Sequence, residues 1–301
     1  MTTDAGVTAP ASLHGYLWRG STIPVLIIVI VILLIWYAAA VWLNAPFILS
    51  ANPNLAFPDL VRAAWSAERP VLPAPHQVLA ELWKTVAATA ITSKRSLLYH
   101  SWVTVSSSLL GFVLGSILGI LLAVAIVHVR SLEKSLLPWI IASQTVPILA
   151  IAPIIIVALG SVGLVGLVPK SIISAYLCFF PVTIGMVKGL TSPDLMQLDL
   201  MRTYNASAWQ TFYKLRWPAA VPFLFASLRV AIAISLVGAI VGELPTGAQA
   251  GLGARLLAGS YYGQTVQIWA ALFAAAAVAA AMVAGVGIAE RLTLKRMGVR
   301  S

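Results

Sequence analysis

The sequence predicts an all-α, polytopic membrane protein with six transmembrane helices, on three observations. Of its 301 residues, 60% are hydrophobic and only 9% are charged, whereas a soluble domain carries about 25% charged residues. The mean hydropathy is +0.95, and the apolar residues gather in six runs near the ~20 residues a helix needs to cross a bilayer. The net charge of +10 falls mainly in short segments at alternate span ends. That suits the bias of Lys and Arg toward one face of a membrane, and it removes the need for a nucleic-acid partner. The single Cys178 lies in an apolar run, so a thiol metal cluster and a disulfide framework are both excluded.

Residues 1–20 are polar and read as a disordered cytoplasmic tail. Residues 21–44 form the first span, with Trp36, Tyr37 and Trp42 toward its far end as an aromatic belt. Its apolar run is too long for a signal-peptide core and lacks a cleavage site. Residues 45–97 are rich in proline and mixed charge, and no span fits there. Within them Val78, Leu79, Leu82, Trp83 and Val86 repeat at helical spacing opposite Glu81 and Lys84. This predicts an interfacial helix over 76–87.

Five more spans are expected within 98–290. The second, 102–129, carries Gly111, Gly115 and Gly119, a spacing that lets two helix backbones approach closely in lipid, and packing within one subunit is the simplest use for it. Residues 130–134 are a short charged connection. The third span, 136–159, is interrupted by Pro147 and Pro153. Prolines free backbone carbonyls, which persist at membrane depth only beside protein or water. Gln144, Thr145 and Pro147 are therefore candidates for lining a translocation path. The fourth span is 169–187 and the fifth 219–241. Ser235 joins the path candidates, and so does Glu243, a carboxylate set directly at a span end. Arg229 lies inside the fifth span and is expected to snorkel or to touch the preceding loop. A small-residue loop over 247–263 leads to an alanine-rich last span, 267–288, and a basic tail, 291–301. Six spans place both termini on one face, with Arg19, Arg130, Lys134, Lys188, Arg202, Lys214 and Arg216 on that same face.

The longest polar-to-amphipathic stretch in the C-terminal half is 199–218, inside the loop 190–218. It reads as a short helix, a bend and a second helix. Asp199 is expected at the first helix's N-terminus, residues 205–207 supply turn and cap chemistry, and Pro218 opens the next span. This stretch resembles the coupling loop of ABC-importer permeases, whose pattern is Glu-Ala-Ala, three residues, Gly, nine residues, Ile-x-Leu-Pro. Asp199 takes the Glu place and Asn205 the Gly place. Leu215, Trp217 and Pro218 take the Ile, Leu and Pro places. Leu-Met stands for Ala-Ala, and Asn is the best replacement for a glycine in left-handed conformation. The segment 72–75 with the helix after it, and the text from Thr145 to Pro153 and at Phe180-Pro181, resemble the nitrate/sulfonate/taurine branch of these permeases.

The resemblance covers about residues 70 to 290. It implies a type I ABC-importer permease fold in a bacterial inner membrane, working by alternating access. It also implies a dimer of ATPase subunits that bind ATP and Mg, a second permease subunit (identical or paralogous), and a periplasmic or lipid-anchored substrate-binding protein. Asp199, Arg202, Asn205, Ala206, Ser207, Leu215 and Pro218 would couple to the ATPase, with Trp209 and Phe212 as apolar anchors in its groove. The cargo would be a small solute of sulfonate, taurine, nitrate or pyrimidine (thiamine-precursor) type. No glycine-rich phosphate loop, metal-spaced histidine set or nucleophile elbow is present in the sequence. No cofactor bound by this chain, no metal site and no catalysis are therefore expected. The alternative is a stand-alone secondary transporter or channel, which calls for an inverted repeat or charges arrayed within spans. The sequence shows neither.

Overall fold

The computed structural model describes residues 22–244 and 250–298. The expected tail over 1–20, residues 245–249 of the outer loop and the last three residues lie outside them. The regular structure among the described residues is helical throughout. The chain divides into two compact units, residues 1–80 and 81–301.

The first unit holds α1 (Thr22–Ala51), α2 (Phe57–Ser66) and the start of α3 (Pro75–Val86). The side chains from Val25 to Ile35 are all exposed, as lipid-facing residues would be. Here the structure corrects two expectations. The first helix does not stop at residue 44 but runs on through Pro46 to Ala51. At about 1.5 Å per residue its 30 residues exceed the ~30 Å hydrocarbon core. The segment in which no span was expected also contains a short helix that was not foreseen, α2, which opens with Pro58 in its first turn and carries Asp59 there.

Asn44 explains the overrun. It is buried, and its amide donates to the carbonyls of Ala64 (3.3 Å) and Leu72 (2.9 Å). Its oxygen accepts from Val71 N–H (2.6 Å). The chain after α2 is thereby folded back on the far half of α1. Trp36 donates its indole N–H to Pro73 O (2.9 Å), and Tyr37 packs edge-on to Trp65 and stacks on His76. These two belt candidates hold protein, while Trp42 stays exposed.

The second unit is a bundle of α4 (Leu97–His128), α7 (Leu167–Leu190), α10 (Trp217–Gly242) and α12 (Thr265–Arg296). The helix α7 runs at its centre, packed on α4 and α10. Small residues make this possible. A Cβ on Gly111 would stand 2.3 Å from Ser174 Cβ, one on Gly115 2.6 Å from Cys178 Sγ, and one on Gly119 2.7 Å from Phe179 O. All three glycines of α4 thus lie directly on α7 of the same chain. On the other side Gly189 would meet Ala220 Cα at 2.9 Å and Gly238 would meet Ser174 Cα at 2.8 Å. Gly115→Val should lower stability by about 1–3 kcal/mol or more, because α4 and α7 would have to separate. Detergent-resistant thermal unfolding of the purified chain checks this, with Gly285→Ala, where a Cβ meets open space, as the silent control.

The third expected span is two helices. α5 (Arg130–Ser143) and α6 (Ile148–Ser161) meet at 98° across residues 144–147. Each has 14 residues, about 21 Å, too short to cross the core alone. Pro147 makes the break as the residue before α6, while Pro153 is accommodated inside α6. The charged connection 130–134 is itself the first turn of α5. The described helices therefore number five long and apolar enough to span, or six if the bent pair counts as one span. The loop expected over 247–263 contains α11 (Leu252–Tyr261), and α12 takes in the first residues of the basic tail. Arg229, expected to snorkel or to touch the preceding loop, has a partner on the last helix instead. It forms an ion pair with Glu290 of α12, which settles a cation that lipid alone would penalise.

Candidate functional site: an exposed bent-helix loop and a buried polar knot

Between α7 and α10 lie α8 (Leu195–Thr203), α9 (Ala208–Thr211) and one π-helical turn (Phe212–Arg216) that runs straight into α10. Asp194 starts α8, in a capping box with Gln197. Asp199, expected at that N-terminus, is instead in mid-helix, where it pairs with Arg202 at 3.0 Å on the exposed face. The Asp-x-x-Gln signature at 194–197 was the available sign.

Asn205 makes the bend. It is the only described non-glycine residue with positive φ, at +49°. Asn205 N–H donates to Arg202 O (2.8 Å) and Ala206 N–H to Met201 O (2.9 Å). That pair of bonds is a Schellman ending, which closes orphan carbonyls of α8 and needs a left-handed residue at this place. Ser207 then caps α9. Its hydroxyl accepts from Gln210 N–H, and Gln210 returns a bond to Ser207 N–H at 2.8 Å. Arg216 anchors the far side by donating to Leu190 O at 3.1 Å.

Along this loop six large side chains are exposed: Leu195, Met196, Leu200 and Tyr204 on and just after α8, then Trp209 and Tyr213. Trp209 is 71% exposed yet ordered by stacking on Phe212 (5.8 Å) and Tyr213 (6.4 Å). Phe212 itself turns inward. It meets His128 at 5.4 Å and Trp217 at 6.0 Å, and packs on the core of Cys178, Met186 and Leu190. It joins the exposed loop to the bundle, with Leu215 and Pro218 half-buried after it.

At the opposite end of α10 lies a buried polar knot. Glu243, the residue after α10, is fully buried. Thr104 Oγ1 of α4 is 2.9 Å from Oε2, Lys170 Nζ of α7 is 3.4 Å from Oε1, and Gly253 N–H of α11 donates to Oε2 at 2.9 Å. Lys170 also donates to Ala250 O (3.0 Å), Leu252 N–H to Thr104 Oγ1 (2.8 Å), and Gly251 N–H to His100 Nδ1 (3.0 Å). The carboxylate faces the N-terminal ends of α7 and α11, where helix dipoles favour negative charge. One side chain thereby ties four helices together.

The remaining candidates fall into two places. Gln144, Thr145 and Pro147 form the α5–α6 break, and Tyr176 holds that break by donating to Ser143 O. Ser235 is buried in the bundle, donating to Ser108 O (2.6 Å) and accepting at its carbonyl from Ser174 (2.9 Å). Lys170, Thr104 and His100 were not singled out from the sequence. A lone lysine in an apolar run at the depth of the one span-end carboxylate was the signal for Lys170. Nothing local marks the other two.

The model of the family described as binding-protein-dependent transport system inner membrane component matches residues 115–299. A probable ABC transporter permease protein of Haemophilus influenzae is 32% identical over 67% of this chain and 77% of its own length. A formylaminopyrimidine transport permease protein of Halalkalibacterium halodurans is 32% identical over 61% of this chain and 68% of its own. A putative aliphatic sulfonates transport permease protein of Bacillus subtilis is 27% identical over 80% of this chain and 86% of its own. The matched stretch begins inside α4 and runs on through α12. The chain belongs to the binding-protein-dependent transport system inner membrane components, the permease subunits of ABC transporters.

Proposed function

We propose that this permease pairs with a second permease subunit, identical or paralogous, in a bacterial inner membrane with both termini cytoplasmic. Two ATPase subunits dock on the loop 190–218 from the cytoplasm, and a periplasmic or lipid-anchored binding protein delivers cargo to the other face. The observation that carries this reading is the exposed, rigidly capped bend at Asn205 with Trp209, Tyr204 and Arg202 around it. Trp, Tyr and Arg are the side chains that dominate interfaces, and an exposed apolar patch of this kind marks a docking surface. The direct run from the π turn into α10 gives any push on Trp209 a path through Phe212 to the bundle.

In this reading the chain is a non-catalytic transport subunit. It binds no cofactor, and ATP and Mg belong to the ATPase. Two states of the bundle alternate because the ATPase dimer binds them with different affinity. The cargo is a small solute of sulfonate, taurine, nitrate or pyrimidine type; the names of the formylaminopyrimidine and aliphatic sulfonates permeases support the pyrimidine and sulfonate members of that set. Gln144, Thr145 and Pro147 line its path at the α5–α6 break, while Ser235 and Glu243 hold the helices that wall it.

Uptake by the full assembly in proteoliposomes tests this. Uptake should require ATP and the ATPase. Gln144→Ala and Thr145→Ala should each lower it by about threefold to tenfold, the weight of one hydrogen bond, with the ATPase still bound. Solute movement by the purified permease alone would overturn the reading in favour of a stand-alone carrier.

A further inference from the structure

A cavity of about 670 Å³ opens in the second unit at the Glu243 end of the bundle. Its walls come from α3, the turn that follows it, α11 and the start of α12. Three cations line it, Lys84, Arg95 and Arg255, against one carboxylate, Glu81. No ion pair within 4.0 Å joins Glu81 to any of them among the described residues. Arg255 is the chemically unfinished group. Its Nη2 reaches Arg95 O at 3.5 Å, but its Nε–H is buried with no hydrogen-bond partner among the described residues. A buried donor left without an acceptor costs about 1–3 kcal/mol, and guanidinium donors in a fork match a phosphate or carboxylate bidentately. Burial pulls the Arg255 guanidinium below its ordinary value, and nearby Glu81 only partly restores it, as expected of a cation without a close counter-ion. Gln264 and Gln267 add amide donors.

The surroundings say where such an anion comes from. Trp83 beside Lys84 is 73% exposed, and Trp102, Tyr261 and Tyr262 are equally bare at the same end of the bundle. Exposed Trp and Tyr gather at the headgroup level of a membrane, and α3 is an amphipathic helix with Trp83 and Val86 free. The cavity therefore opens where lipid phosphates lie.

We propose that this cavity is a binding site for the phosphodiester headgroup of an anionic phospholipid, held by Arg255, Arg95 and Lys84. The lipid closes the open valence of Arg255 and joins α3 to α11, which begins at the Glu243 knot.

Native mass spectrometry of the full chain, released from nanodiscs of mixed phosphatidylglycerol and phosphatidylcholine, tests the proposal. One phosphatidylglycerol should be retained per wild-type chain. Arg255→Gln should weaken its retention by about tenfold or more, the weight of a charge-assisted bond. Lys84→Gln, an exposed position that does not disturb folding, should weaken it less. Arg130→Gln, on the far side, should change nothing. Equal retention by all four proteins would overturn the proposal. Displacement of the lipid by millimolar inorganic phosphate or glycerophosphate would support the phosphate chemistry and make the soluble ion the occupant. If the variants weaken docking of the binding protein while lipid retention stays constant, the occupant is an acidic side chain and the lipid assignment is wrong.

Discussion

Replacing Glu243 by alanine should destabilise the folded permease by about 3–5 kcal/mol, the cost of removing one partner from a buried charge pair. Three losses combine. Lys170 Nζ, 3.4 Å away and almost wholly buried, is left with Ala250 O as its acceptor. Gly253 N–H loses its acceptor inside the protein. Thr104 Oγ1, which accepts from Leu252 N–H at 2.8 Å, loses the oxygens it faces. The effect therefore spreads over α4, α7, α10 and α11, and it should show as a large drop in the temperature at which the purified chain unfolds in detergent. Glu243→Gln should be milder, since an amide oxygen still accepts from Gly253. The double variant Glu243→Gln/Lys170→Met should recover part of the loss, because it removes the stranded cation. If Lys170→Met alone proved as stable as the wild type and Glu243→Ala cost under 1 kcal/mol, the knot would have no structural weight.

Asn205→Val should uncouple transport while leaving the bundle folded. Valine carries a β-branch into a φ of +49°, a region that costs an ordinary L-residue about 1–2 kcal/mol and a β-branched one more. Relief comes by moving the chain into a right-handed conformation, which breaks the two bonds to Met201 O and Arg202 O and redirects α9. Trp209 then leaves its place relative to α8, but the core around Phe212 and Trp217 remains. Asn205→Gly should transport as well as the wild type, since glycine adopts this conformation freely. ATP-driven uptake, compared with thermal unfolding of the same proteins, separates the two outcomes. Equal losses of uptake for valine and glycine would mean that the side chain of Asn205, not the backbone bend, is what matters.

The spans were legible in the sequence because twenty apolar residues in a row leave the backbone little choice in lipid. The bend at Asn205 was legible because asparagine is the one common substitute for glycine at positive φ, and the cap at Ser207 because of its turn chemistry. Three features were not. Asp194 rather than Asp199 starts α8, since the first-turn preference for a carboxylate fits either until the Asp194–Gln197 box is seen. The overrun of α1 to Ala51 depends on Asn44 reaching residues 64–72, a contact across twenty or more positions that no local pattern encodes. Thr104 and Lys170 join Glu243 from helices far apart in the chain, and no local pattern around Glu243 encodes those partners. What local chemistry decides was visible; what long-range partners decide was not.

The most direct test of the account is capture of the ATPase. The full chain is produced with the ATPase subunit of its own transport system as wild type, Arg202→Glu and Trp209→Ala, extracted in detergent, and the ATPase bound per permease is counted. The surface pair of Arg202 with Asp199 contributes little to folding, and Trp209 is largely exposed, so both variants should fold. The account predicts stoichiometric ATPase on the wild type and a loss of tenfold or more with Trp209→Ala, as expected of an aromatic anchor worth about 2 kcal/mol. Undiminished ATPase on both variants would contradict the assignment of the 190–218 loop as the surface through which this permease is driven.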